Sequence, residues 1–200
     1  MAARAGLTVE AVTDAAVTLA DEVGFEQVSV SALARRLGVQ PASLYAHVRG
    51  TDDVRTRIGV RALEELGDRL ALGLAGRSGL GALEAVVDAV RDYARDHPGR
   101  WAATQVRLDV DRAGAAGFRV SALMRGALHG YGLDPDEEPH AVRLLGSTVD
   151  GFVRLQANGG FDHSTPDAEL SWRRMTDALD AALRHWPRAS RPHDPDEVPR

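Results

Sequence analysis

The chain carries the residue types of acid–base and metal chemistry, but their spacing assembles no such site. Its seven histidines, at positions 47, 97, 129, 140, 163, 185 and 193, never pair at the intervals that metal ligation needs. There is no His-Glu-x-x-His, no Gly-x-Ser-x-Gly and no glycine-rich phosphate loop followed by lysine, and Asp109 with Asp111 reads as a helix-cap pair rather than a Mg²⁺ site. Cysteine is absent, which excludes disulfides, thiolate metal sites and cysteine nucleophiles. The expectation is a protein with no catalytic residue, no metal and no cofactor. What the spacing does offer is charge segregation. Residues 1–30 set Arg4 against Glu10, Asp14, Asp21, Glu22 and Glu26, a balance of −4. Residues 31–61 set Arg35, Arg36, Arg49, Arg55, Arg57 and Arg61 against Asp52 and Asp53, a balance of +4 inside a chain whose net charge is −5. A short basic segment in an acidic chain has the electrostatics of a local phosphate-binding surface, since phosphate contact needs only a few cations on one face. A solvated arginine-rich helix surface is the plainer reading, and charge alone does not separate the two.

The elements that must position these residues read as helices from end to end. Val12, Ala16, Leu19, Ala20 and Val23 form an apolar stripe after Thr8, a suitable N-cap, and Gly24 ends it. Val28-Ser-Val-Ser alternates like a strand but is too brief, and it runs into Leu33, Ala34 and Leu37 at helical spacing between a Ser29 cap and a Gly38 stop. Pro41 suits the first turn of a third helix, with Leu44 and Val48 facing inward. Thr51 is expected to cap a long fourth helix whose dipole Asp52 and Asp53 complement. Further helices are expected over about 83–97, 101–108, 118–131, 139–157 and 167–186, nine in all with no strand. The spacing of the second and third helices across Gly38-Val39 is that of a helix-turn-helix, in which one helix crosses the phosphate backbone and the next enters the major groove.

The particular residues sharpen this. From Glu22 to Val54 the chain reads EVGFEQVSVSALARRLGVQPASLYAHVRGTDDV, with Gly24-Phe25, the Ser29 cap, Leu33-Ala34, Leu37-Gly38-Val39, Leu44-Tyr45 and His47-Val48. This resembles the N-terminal domain of the tetracycline-repressor (TetR/AcrR) family of one-component transcriptional regulators. HPGRWAATQ (97–105) and DGFVRLQANGGF (150–161) resemble the family's subgroup named for a Trp-His-Gly motif, with Asp150-Gly151 standing where histidine-glycine is expected. Carried over position by position, the resemblance implies that Ser31, Pro41, Ala42, Ser43, Tyr45 and His47 face double-stranded operator DNA. Side-chain chemistry agrees: a proline ring or alanine methyl can meet a thymine methyl, a serine hydroxyl a base or phosphate, and the tips of Tyr45 and His47 phosphate oxygens. Arg35, Arg36 and Arg49 add longer-range attraction, Gln40 can read adenine, and Arg4 is placed to enter a minor groove. Thr51 stands where the family often has a phosphate-binding lysine, so that contact passes to the hydroxyl, the helix N-terminus or Arg49.

The resemblance further implies an all-α homodimer in two parts, a DNA-binding domain over 1–50 and an effector-binding and dimerisation domain over 51–187. Residues 188–200, rich in proline and charge, are expected to be a disordered tail. In such proteins the last two long helices pair across a two-fold axis. Gly151, Phe152, Leu155, Trp172, Met175 and Leu179 are the interface candidates, with a monomer core as their other role. Trp101, Gln105, Leu108, Met124, His129 and Tyr131 are candidates to line a cavity for a small, apolar effector, although each also suits ordinary core or surface. The 200 residues, 44% of them hydrophobic, contain no run long enough to span a bilayer, and MAARAG is no signal peptide, so the expected compartment is the cytoplasm, with no membrane partner. A helical protein-interaction module with a non-functional helix-turn-helix is the alternative from another class.

Overall fold

A computed structural model describes residues 7–187, and among these the chain is helical with no strand. Nine α-helices run in order: α1 (Val9–Val23), α2 (Val30–Leu37), α3 (Pro41–Leu44), α4 (Thr51–Leu74), α5 (Gly79–Asp96), α6 (Pro98–Thr104), α7 (Val110–Leu128), α8 (Glu138–Ala157) and α9 (Ala168–Arg184). Short 3₁₀ turns occupy Phe25–Gln27 and His129–Tyr131. Arg4 and the expected tail over 188–200 lie outside the described residues.

Local chemistry explains the first boundaries. Thr8 Oγ1 accepts the Ala11 N–H at 3.1 Å and Ser29 Oγ accepts the Ala32 N–H at 3.2 Å, so α1 and α2 each begin on a hydroxyl cap. Gly38 closes α2 in the left-handed conformation (φ 66°), and the Val39 N–H reaches Ala34 O at 3.0 Å while Gly38 N–H reaches Arg35 O at 3.3 Å. That pair of bonds is the Schellman arrangement, and it turns the chain within two residues.

Several boundaries differ from the sequence expectation. The third helix has one regular turn, Pro41–Leu44, and continues to Val48 as bent turns held by His47 N–H and Val48 N–H on Leu44 O at 2.8 and 2.9 Å. Gly50, at φ 144°, is the N-cap of α4, and Thr51 is its first residue instead of the cap. The Thr51 hydroxyl is used elsewhere: it accepts the Val30 N–H at 3.4 Å, tying the start of α4 to the start of α2. Finally, α6 begins at Pro98 and α7 at Val110, each earlier than expected. Pro98 starts a helix at its tolerant first position, and Asp109 caps α7 through the Arg112 N–H at 3.2 Å. The small residues over 113–117 lie before the expected start of that helix at about 118. They let α7 lie close along α4, with Ala113 and Ala116 buried.

The buried residues fall into two clusters. One joins Val12, Ala16, Leu19 and Ala20 of α1 to Phe25, Leu33, Ala34, Leu44, Val48, Val54, Ile58 and Ala103. The other joins α4 from Ala62 onward to α5, α7, α8 and α9. Helix α4 runs through both, and at 24 residues it spans about 36 Å. Helix α6 enters the first cluster through Ala103 while Trp101 packs on the second.

Candidate functional site

The two short helices α2 and α3 present one continuous outer face. Leu33 and Ala34 of α2 and Leu44 of α3 point into the first cluster, Leu44 with no exposed surface at all. That anchoring forces Ser31 and Arg35, one turn apart on α2, outward together with Gln40, Pro41, Ala42, Ser43 and Tyr45. Tyr45 is 61% exposed, an unusual state for a large aromatic ring on a folded surface. Arg49 is exposed, and His47 and Thr51 are half-buried at the margin.

The charges of this face are fewer than the sequence balance suggests. Of the six arginines in residues 31–61, Arg36 is paired with Glu22, Arg55 with Glu26 at 3.5 Å, Arg57 with Asp53 at 3.2 Å and Arg61 with Asp14 at 2.8 Å. Arg55 also lies over the Phe25 ring, 5.4 Å from its centroid. Three of these four pairs fold the basic segment back onto the acidic first 30 residues. Arg35 and Arg49 are the two with no carboxylate partner among the described residues, and both belong to the outer face. Arg36, expected to attract phosphate, is instead held by Glu22. Beneath this face, Asp53 Oδ2 accepts the Arg49 N–H at 3.0 Å and its carboxylate also meets Arg57 and Arg112. Burial by itself works against the Asp53 charge, but the Arg49 N–H and the Arg112 and Arg57 guanidiniums outweigh it and hold the carboxyl below its ordinary pKa.

Helix α6 links this region to a cavity. Gly99 packs directly on α1, so close that a Cβ there would sit 1.9 Å from Ala20 O. Arg100 donates its backbone N–H to Asp21 Oδ1 at 2.9 Å, and its guanidinium meets Asp21 and Glu65 at 2.9 and 3.1 Å. His97 joins the same junction. Arg69 Nη2, which can only donate, lies 3.1 Å from His97 Nε2, so the ring proton sits on Nδ1 and is directed at Asp21 Oδ2, 3.3 Å away. Tyr93 donates its hydroxyl to Glu65 at 2.9 Å. Asp21, His97 and Arg100 were not legible as a site in the sequence, since they are separated by up to 79 positions.

The other side of α6 borders a cavity of about 420 Å³ among α4, α5, α7 and α8. Of the effector-site candidates, Trp101, Gln105 and Met124 line it, together with Leu63, Ser121 and Asp150. Leu108 does not line it: its methyls pack over Gly59 of α4. His129 is exposed at the end of α7, and Tyr131 donates its hydroxyl to Asp180 at 2.7 Å, both away from this space. Of the interface candidates, Leu155 is 54% exposed and Gly151 would meet nothing with an added Cβ. Trp172 is 2% exposed, with its indole N–H on Asp88 at 2.8 Å, and Leu179 is buried beside it in the second cluster. Phe152 stacks at 4.8 and 5.0 Å on Phe161 and Trp172, and Met175 packs half-buried on the same core. Arg91 lies over the Phe152 and Trp172 rings, so Trp172 and Leu179 are buried within the protomer while Phe152 and Met175 keep part of their surface open. Leu144, which sequence reading passed over, is exposed on the same side of α8 as Gly151 and Leu155, seven and eleven positions earlier.

Among the described residues no group of three or more histidines and carboxylates could hold a metal ion, and no helix is long and apolar enough to cross a membrane. Comparison with known proteins decides the family. Residues 12–58 match the family described as bacterial regulatory proteins, tetR family, and residues 83–179 match the tetracyclin repressor-like C-terminal domain. An uncharacterized HTH-type transcriptional regulator of Bacillus subtilis, YobS, is 32% identical over 163 residues, covering 81% of this chain and 85% of its own. The chain belongs to the TetR family of transcriptional regulators. A further uncharacterized HTH-type regulator, from Mycobacterium tuberculosis, is 33% identical over 167 residues, 82% of this chain and 77% of that protein. Among solved structures, a TetR variant from Acinetobacter baumannii in complex with minocycline superposes with a TM-score of 0.69 at 22% identity, over 90% of this chain and 98% of that one. A protein of unknown function from Rhodococcus reaches 0.75 at 16% identity, over 90% and 96%. These two likenesses are of fold. The TetR-family regulators are transcription factors and not enzymes, and this all-helical chain is one of them.

Proposed function

We propose that this regulator binds a palindromic operator as a homodimer through the outer face of α2 and α3, and that a small molecule in the α4–α8 cavity releases it. Ser31, Arg35, Gln40, Pro41, Ala42, Ser43, Tyr45, His47, Arg49 and Thr51 form the DNA-contacting set. The observation that carries this reading is the outward presentation of Gln40 to Ser43 and Tyr45 over a buried Leu44, with Arg35 and Arg49 uncompensated beside them. Residues 1–50 then act as the DNA-binding domain, residues 51–187 as the effector and dimerisation domain, and the cytoplasm is where the protein meets its DNA. Repression follows if the operator overlaps a promoter.

Helix α6 supplies the route of coupling. It carries Trp101, Thr104 and Gln105 toward the cavity and Gly99 and Arg100 against α1. An effector that fits better when α6 is displaced shifts the population toward forms whose recognition helices no longer match successive major grooves. DNA affinity then falls by the ratio of effector affinities for the two forms. The test is retention of fragments of the source genome by the full chain, followed by sequencing. Enrichment of a short inverted repeat supports the reading; uniform retention, which is non-specific binding, contradicts it, and no retention of any fragment contradicts it and favours an interaction module with an inert helix-turn-helix.

A further inference from the structure

The cavity beside α6 has a chemical character beyond its shape. Among the described residues Asp150 is the one charged side chain lining the 420 Å³ space, whose other walls are apolar or neutral. A second space of about 350 Å³ adjoins it and shares Trp101, Gln105 and Asp150, adding Arg154 at its outer side. The shared waist therefore holds a carboxylate and an indole ring together. The Asp150 side chain is 22% exposed, and its counter-charge is Arg154, one turn along α8 and 69% exposed. A carboxylate in an apolar wall needs a partner, whereas an exposed arginine on a flexible stem gives up such a contact to water at little cost. Trp101 is likewise available. Trp172 and Trp186 donate their indole N–H groups to Asp88 and Glu137 at 2.8 and 2.9 Å, but Trp101 has no such partner among the described residues.

Resting on the effector reading above, we infer that the cavity takes a lipophilic cation, an ammonium group with apolar substituents. Its charge replaces Arg154 at Asp150 and lies against Trp101, and its apolar part fills the space toward Met124 and Leu63. In the 420 Å³ space an anionic amphiphile finds no cationic side chain among the described lining residues, and Arg154 borders only the adjoining space. Arg91 and Arg95, which border a smaller cavity beyond the second, are bound to Glu169 and Asp92, each at 2.8 Å.

The test compares benzyltrimethylammonium with neopentylbenzene, its neutral carbon isostere, and with 4-phenylbutyrate, by calorimetry and tryptophan fluorescence on the full chain. The cation should bind about tenfold more tightly than the isostere, a preference of the size a desolvated cation–π and carboxylate contact supplies. Asp150→Asn should abolish that preference, and Arg154→Ala, which removes the competing charge, should strengthen cation binding. Opposite signs from two neighbouring positions separate the contact from any general loss of folding. Equal binding of cation and isostere, tighter binding of the anion, or no binding of the cation at millimolar concentration overturns the inference. Operator binding by the unliganded protein is measured separately. Its failure would sink the proposed function, whereas a missing cation preference with operator binding intact sinks the inference alone.

Discussion

At the scale of single residues, what distinguishes the surface proposed to face DNA is which charges are left over. Four arginines of the basic segment are spent on carboxylates of α1, its neighbouring turn and α4. Arg35→Ala and Arg49→Ala should therefore each flatten the dependence of operator affinity on salt by about two units of slope, one for each protomer of the proposed dimer. Arg36→Ala and Arg61→Ala should leave that slope unchanged, as fluorescence-anisotropy titrations across salt concentrations would show. Asp53 gives a pH signature. Its folded-state pKa is lowered, so the stability it adds is fully present above the unfolded value of about 3.9 and is lost as pH falls through the folded one. Asp53→Asn should cost about 1.5–3 kcal/mol near neutral pH, the range for hydrogen bonds to a charged group. Denaturant unfolding at a series of pH values should show that difference shrinking toward zero in acid below about pH 4. A penalty that stays constant into acid would mean the carboxylate charge is not what matters there.

At the scale of elements, α6 is the joint through which the proposed coupling runs, and its contacts predict unequal effects from like substitutions. Gly99→Ala drives a methyl into the Ala20 carbonyl, which belongs to the α1 backbone and cannot move aside. It should cost about 3 kcal/mol, the upper end of overpacking penalties, and lower the melting temperature accordingly. Gly59→Ala meets chiefly the methyl ends of Leu108 and gains helix propensity, so it should stay within about 1 kcal/mol of the parent. The elements themselves were largely legible in the sequence. Ser29, Gly38 and Pro41 are caps and stops acting within a few residues, and their signals are local. Leu44 and Val48 likewise showed their inward side by spacing, which fixed the outer face by subtraction. The failures have a common physical cause. The α7 start was hidden because alanine and glycine over 113–117 lack an apolar stripe, and their value lies in how closely α4 can approach. Thr51 looked like a cap, but its partner is 21 positions away. The Asp21, His97 and Arg100 junction, and the waist of Asp150 and Trp101, exist only once α1, α6 and α8 are brought together.

At the scale of the whole molecule, two-fold symmetry would turn one modest DNA-facing patch into a specific reader of spaced half-sites. We propose that Leu144 and Leu155, exposed on α8 on the side of the half-buried Gly151, pair with a second copy, and Leu170 adds an exposed apolar side chain on α9. Leu155→Glu and Leu144→Glu together should give a monomer by sedimentation and weaken operator binding, whereas Trp172 substitutions should unfold the protomer itself. A dimer that survives the two glutamates would place the interface elsewhere. The central claim is that the surface from Gln40 to His47 meets DNA, and Tyr45 tests it most directly because its ring packs little against its own chain. Tyr45→Ala should leave the unfolding free energy within about 0.5 kcal/mol. Affinity for the protein's own upstream operator, measured by anisotropy at moderate salt, should nevertheless fall about tenfold or more, a loss of about 1.4 kcal/mol. Unchanged affinity with unchanged stability would contradict the account.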